Sequence, residues 1–144
     1  MRGLLSLFLL LPAICLAHVE IKDPVVRLLP PGVPNTAAYM QLVNTSSQDM
    51  QLVGASSESV ERVEIHNHMM HEGMMKMVRQ DQVTLSGNTT LAFKPGGLHL
   101  MMFGLKKPLQ KGQNVTIRLL FSDDTELTFQ APVAEPQASS HHHH

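Results

Sequence analysis

Two imidazoles and two thioethers recur in this chain at a spacing with chemistry of its own, His66-x10-Met77-x21-His99-x-Met101. Between the first two runs HNHMMHEGMMKM, in which eight of twelve residues are His or Met. Core packing does not ask for such a density. Thioether sulfur is a soft, neutral donor that suits Cu(I) and has little use for Mg, Ca or Mn, and imidazole adds a stronger neutral donor. Four neutral ligands leave the single positive charge of Cu(I) in place, which a partly exposed site tolerates better than a sealed core. Thiolates bind Cu(I) more tightly, but in an oxidising compartment they are lost to disulfides. Methionine has no proton to lose, so only the histidines compete with acid. A ligand set of this strength suits holding one ion and passing it on.

Cysteine usage narrows the chemistry further. The one cysteine, Cys15, lies in MRGLLSLFLLLPAICLA, residues 1–17, which reads as a secretory signal peptide: Arg2, a mostly apolar stretch from Leu4 to Leu11, then small residues ending at Ala17. That stretch falls short of the ~20 residues that span a bilayer. The expectation is a soluble, exported protein that is not embedded in the membrane. Acylation at Cys15 is the alternative, and the bulky Ile14 before it fits that poorly. Cleavage after Ala17 leaves no thiolate for a blue-copper centre, which needs Cys with two His. It also leaves no C-x-x-C-H for haem, and methionine is a poor ligand for structural zinc. No Ser-His-Asp set or carboxylate pair suggests an enzyme. From His18 onward, 10 Lys and Arg face 12 Asp and Glu, which suggests neither nucleic acid nor an anionic membrane as partner. A monomer is expected.

The elements that must position the donors read as strands. Short segments rich in Val, Ile, Leu and Thr alternate with turn signals, which argues for a single-domain all-β sandwich over 18–131. Strands are expected at 19–21, 25–28, 37–44, 51–56, 60–67, 74–79, 82–85, 89–93, 99–102, 114–121 and 126–131, the last two forming a hairpin through Asp123-Asp124. Alternation puts Val63 and Ile65 on one face and Glu64, His66 and His68 on the other. It likewise separates Leu98, Leu100 and Met102 from His99 and Met101. The donors are thus expected off the core, near the surface. Residues 132–144 turn to Pro, Ala, Glu, Gln and Ser and read as a disordered tail.

Other histidines and methionines have blander readings. Met40, Met50 and Met102 suit gap filling in a core. Met69, Met70, Met74 and Met75 divide between packing and a secondary capture surface. His68 and His71 read as solvated loop residues. His141 to His144 is either an affinity tag or a native metal-attracting tail. After cleavage His18 would be the first residue, and its amine and imidazole could clamp a weaker Cu(II) ion if another histidine stood close by.

The four-residue spacing resembles the H-x10-M-x21-H-x-M signature of the periplasmic copper chaperones called PCuAC, without a gap. The segments VRLLPPGVPNTAAYMQLVN (26–44) and KPGGLHLMMFGLKKPLQKG (94–112) are similar to that family as well. The resemblance implies a cupredoxin-like β-sandwich that binds one Cu(I) through His66, Met77, His99 and Met101. It also implies delivery to the dinuclear CuA centre of cytochrome c oxidase subunit II, directly or with a thiol-bearing Sco-type protein. The terminal His run resembles the family's Cu(II)-associated extension only weakly, since no methionine accompanies it. Three rivals remain open at this point: copper sequestration without a dedicated recipient, a copper enzyme using His18, and a plain interaction domain whose His and Met are incidental, which a structure with His66 and His99 far apart would favour.

Overall fold

Ten strands follow the alternating segments of the sequence: β1 (Val19–Arg27), β2 (Asn35–Asn44), β3 (Met50–Ser56), β4 (Val60–His71), β5 (Met74–Arg79), β6 (Val83–Leu85), β7 (Thr90–Phe93), β8 (His99–Leu105), β9 (Asn114–Phe121) and β10 (Glu126–Ala134). The computed structural model describes residues 18–136. The expected signal peptide, residues 137–140 and the His141 to His144 run lie outside them. Among the described residues no helix is long and apolar enough to cross a membrane.

Hydrogen bonding orders the strands β5-β4-β8-β2-β1-β10-β9-β3-β6, with β7 added to β2. Ala55 of β3 also pairs with Val63 of β4, which closes β4-β8-β2-β1-β10-β9-β3 into a ring. Only β1 and β10 run parallel among these pairs, at Val26 with Val133. The ring encloses one apolar core. Strict period-two patterning in β9 sends Val115, Ile117, Leu119 and Phe121 inward and the residues between them to solvent. They meet Met40 and Leu42 of β2, Leu52 of β3, and Leu100 and Met102 of β8. Burying each such side chain contributes about 1.5–3 kcal/mol. Met40 and Met102 are core fillers as expected, and Met50 packs against the core from a partly buried position.

The strand boundaries depart from expectation in several places, β8 running on to Leu105 and β2 starting at Asn35 among them, and three have a clear local cause. The two short segments before Leu28 merge into β1, because the register slips between Lys22 and Val25 without ending the pairing to β2. Asp23 takes a left-handed φ of 50° there, next to Pro24, which has no N–H to give the ladder. β10 continues past 131 through Pro132 to Ala134, because Val133 is buried in the core and pairs with β1. β4 runs on to His71 and meets β5 through Glu72-Gly73, both at positive φ (50° and 77°). That is the backbone of a two-residue hairpin turn whose twist matches the strands. Six paired positions from His66–Arg79 to His71–Met74 therefore replace the expected loop.

Candidate metal centre

The outer face of the β5-β4-β8-β2 sheet carries the donors. With Ile65, Leu100 and Met102 turned into the core, alternation turns His66 and His68 of β4 and His99 and Met101 of β8 outward, as the sequence pattern requires. Register then sets who meets whom. His66 lies directly across from His99, and Glu64 from Met101. On the other side of β4, His68 lies across from Met77 and His66 from Arg79. Met101 in turn faces Ala37 of β2, a small side chain that leaves room above the sheet.

A cavity of about 390 Å³ opens on this face, and Met77, His99 and Met101 line it together with His68. Tyr39, Ala37 and Arg27 form its floor and flank, while Pro95 and Gly96 close one side. His66 does not line the cavity; it stands beside His99, with ring centroids 5.9 Å apart. The wide separation of His66 and His99 that would have favoured a plain interaction domain is not found. His68 comes nearer still to His99, at 5.4 Å. The reading of His68 as a solvated loop residue is corrected: it sits within β4 and faces the cavity. Alternation had put it on this face, but the strand was expected to end one residue earlier. His71, also within β4 and not in a loop, is exposed at the hairpin end.

Burial is lopsided. His99 is 3% exposed and the His66 side chain 12%, while Met77 is 49% exposed. The expectation of a site near the surface holds for Met77 and fails for the imidazoles. Burial pushes His99 below the usual imidazole range, and the neighbouring His68 and His66 push the same way. Its hydrogen bond to Gly97 opposes them.

The hydrogen bonds assign each ring a tautomer. His99 Nδ1 donates to the Gly97 carbonyl at 2.9 Å, leaving Nε2 with a free lone pair. His66 Nε2 donates to Glu64 Oε2 at 2.8 Å. Its Nδ1 is then left buried with no partner. Buried nitrogens are nearly always bonded, so an unmatched one calls for an explanation. A soft cation would supply it. The carboxylate behind the ring is what a metal-bound imidazole commonly leans on. The His66 hydrogen bond, with Arg62 at 3.0 Å, holds the Glu64 carboxyl below its ordinary value despite the opposing effect of its surroundings. Arg62 also stacks over Phe103 at 4.2 Å, which fixes the guanidinium that steadies Glu64. Sequence reasoning missed Glu64 as an orienting group, since an i, i+2 carboxylate on a strand is ordinary until its partner is seen.

Among the described residues no group of three or more His, Cys, Asp or Glu could by itself hold a metal ion. The thioethers of Met77 and Met101 line the same cavity as His99, and donors of that kind suit a soft monovalent ion better than zinc. Among the described residues the structure does not bring His18 to the site. His18 lies beside Thr45, just beyond the Val19–Asn44 pair, while the site is level with Ala38 and Leu100. The strand between Ala38 and Asn44 spans ~20 Å.

Known proteins share this architecture. The copper-bound PCuAC domain from PmoF2 superposes with a TM-score of 0.70 at 24% identity, over 83% of this chain and 95% of that one. Apo-DR1885 from Deinococcus radiodurans gives 0.64 at 30% identity, covering 94% and 95%. Its Cu(I) form, CuI-DR1885, gives 0.62 at 34% identity, over 80% and 78%. In sequence, protein RP573 of Rickettsia prowazekii (strain Madrid E) is 38% identical over 103 residues, 71% of this chain. The chain spans under two thirds of the curated relatives it matches, 57% of that protein and 61% of one from Leifsonia xyli subsp. xyli. The "lipoprotein LpqE-like" family model matches residues 19–133. The chain belongs to that LpqE-like family, and its fold is the all-β fold of PCuAC domains.

Proposed function

We propose that this protein is an exported, non-catalytic carrier that takes up one Cu(I) in the periplasm through His66, Met77, His99 and Met101. It then gives the ion to the CuA centre of cytochrome c oxidase subunit II, directly or through a Sco-type protein. The observation that carries the reading is the buried His66 Nδ1 without a partner, set across from His99, whose Nε2 is also free. Likeness to CuI-DR1885, at 34% identity, supports copper as the cargo. The signal-peptide pattern of residues 1–17 supports export.

The asymmetry of the site suits transfer. Buried imidazoles hold the ion while exposed Met77 is the ligand an incoming donor displaces first. Exchange then proceeds one bond at a time, with no change of oxidation state and no bare ion released.

Titration with Cu(I) against a competing chelator tests the binding. A one-to-one complex that weakens in both Met77→Ala and His99→Ala is expected; unchanged affinity in the two variants defeats the assignment. Mixing the loaded protein with apo subunit II tests the recipient. Copper appearing at CuA supports delivery, and none appearing favours sequestration.

A further inference from the structure

The outer part of the β4–β5 hairpin is unused by the four-donor site and is unusual in composition. Met70 is 66% exposed, Met75 57% and Met74 65%, and none of them packs in the core. Pairing to β8 stops at His66–His99, so beyond that point β4 is bonded only to β5 and its outer face stands open. The hairpin has two faces. One carries His68 and Met70 of β4 beside Met75 and Met77 of β5, with His68 across from Met77 and Met70 across from Met75. The other carries Met69 and His71 beside Met74 and Lys76.

The two faces differ in what a cation would meet. On the second, Lys76 stands directly across from Met69 and repels positive charge, and Gln80 Nε2 already lies 3.7 Å from the Met69 sulfur. The first carries its cation farther in, at Arg79 across from His66, where the guanidinium lies 3.9 Å from the Glu64 carboxylate, and none among His68, Met70, Met75 and Met77. Cβ atoms of directly opposed residues lie ~4.5–5.5 Å apart, and diagonal neighbours ~7–8 Å, within reach of long side chains. Methionine's three rotatable bonds let its sulfur adapt to a shared centre. His68 forms no hydrogen bond among the described side chains, and its ring reaches to 5.4 Å from His99. It therefore stands between the hairpin face and the cavity.

We infer that His68, Met70 and Met75 form a second, weaker Cu(I) seat, from which the ion steps inward to the four-donor site. This rests on the Cu(I) reading above and adds a route to it. The step is ligand exchange. The Cu–S bonds to Met70 and Met75 break as bonds to Met77 and then to His99 and Met101 form, and His68 lets go as His66 engages. Copper stays Cu(I), and no electron or proton is transferred.

Ag(I), a redox-inert stand-in, is titrated into the protein carrying 13C-methyl methionine while the methyl resonances are followed. The first equivalent is expected to move Met77 and Met101, and the second Met70 and Met75, with Met69 and Met74 still. If the first equivalent leaves Met77 and Met101 unmoved, the four-donor reading fails. If they move while Met70 and Met75 stay unmoved through two equivalents, the second seat alone is overturned, as it is if Met69 and Met74 move equally with them. In the double variant Met70→Leu/Met75→Leu, whose exposed positions spare the core, affinity for the first Cu(I) is expected to stay within about twofold. Uptake from a Cu(I)–chelator complex is expected to slow by about an order of magnitude. Uptake at the unaltered rate overturns the route.

Discussion

The β4–β5 and β9–β10 hairpins share a backbone plan and use their side chains in opposite ways. Each is a long antiparallel pair, and each turns through residues at positive φ, Glu72-Gly73 in one and Asp124 in the other. In β9 every second residue is buried, and β10 adds Ala131 and Val133 to the core. In β5 every residue is exposed. The β9–β10 hairpin thus contributes to stability through apolar area withdrawn from water. The β4–β5 hairpin leaves soft donors in contact with solvent, where they add little to the fold and are free to exchange ligands. Residues suited to giving an ion away are, for the same reason, poorly placed to hold the protein together.

The contrast is sharpest in stability. Phe121→Ala should cost about 3–5 kcal/mol in chemical denaturation, because a large side chain leaves a cavity that its neighbours cannot fill. A loss under about 1 kcal/mol would mean that β9–β10 is not the stabilising hairpin. On the metal side, His99→Ala should weaken Cu(I) by more than ~100-fold in chelator competition, exceeding the 10–100-fold typical of residues that only orient a ligand. Glu64→Ala should fall within that ~10–100-fold range. Glu64→Gln, which keeps an acceptor for His66 Nε2, should recover most of the loss, and 15N shifts of His66 should report the restored tautomer.

A smaller effect follows from acid. The Glu64 carboxyl titrates below its ordinary 4.5, chiefly because it accepts the hydrogen bond from His66. A depressed carboxylate stabilises the folded state fully above its unfolded pKa and loses that contribution as pH falls through the folded value. The stability gap between the native protein and Glu64→Gln should therefore be constant near neutrality and close below pH 4.5. A gap that widens in acid would reverse the sign and remove the ion pair from the account. Smallest of all, Met75→Ala should change stability by no more than about 0.5 kcal/mol, since its side chain is 57% exposed. A larger loss would give the β4–β5 hairpin a share in the core.

Much of this was legible in residue order. Nine of the ten strands fall on separately expected segments, and β1 gathers the other two, because period-two patterning records which face is buried. The same patterning placed His66, His99 and Met101 off the core. It did not reveal that β4 reaches His71, since a polar, Met-rich segment carries little alternation and its pairing depends on β5 lying alongside. Nor did it reveal the end of β10, where Pro132 reads as a breaker and only the fit of Val133 into the core keeps the strand going.

The sequence by itself determined the chemistry, because donor type is a property of side chains: soft neutral ligands at one spacing, and no thiolate after residue 17. Only the tertiary structure decided the geometry. Strand register set His66 across from His99, brought His68 to the cavity wall, aimed Glu64 at one imidazole and the Gly97 carbonyl at the other, and buried His99 while leaving Met77 open. Register belongs to pairs of strands distant in the chain, and no single segment contains it.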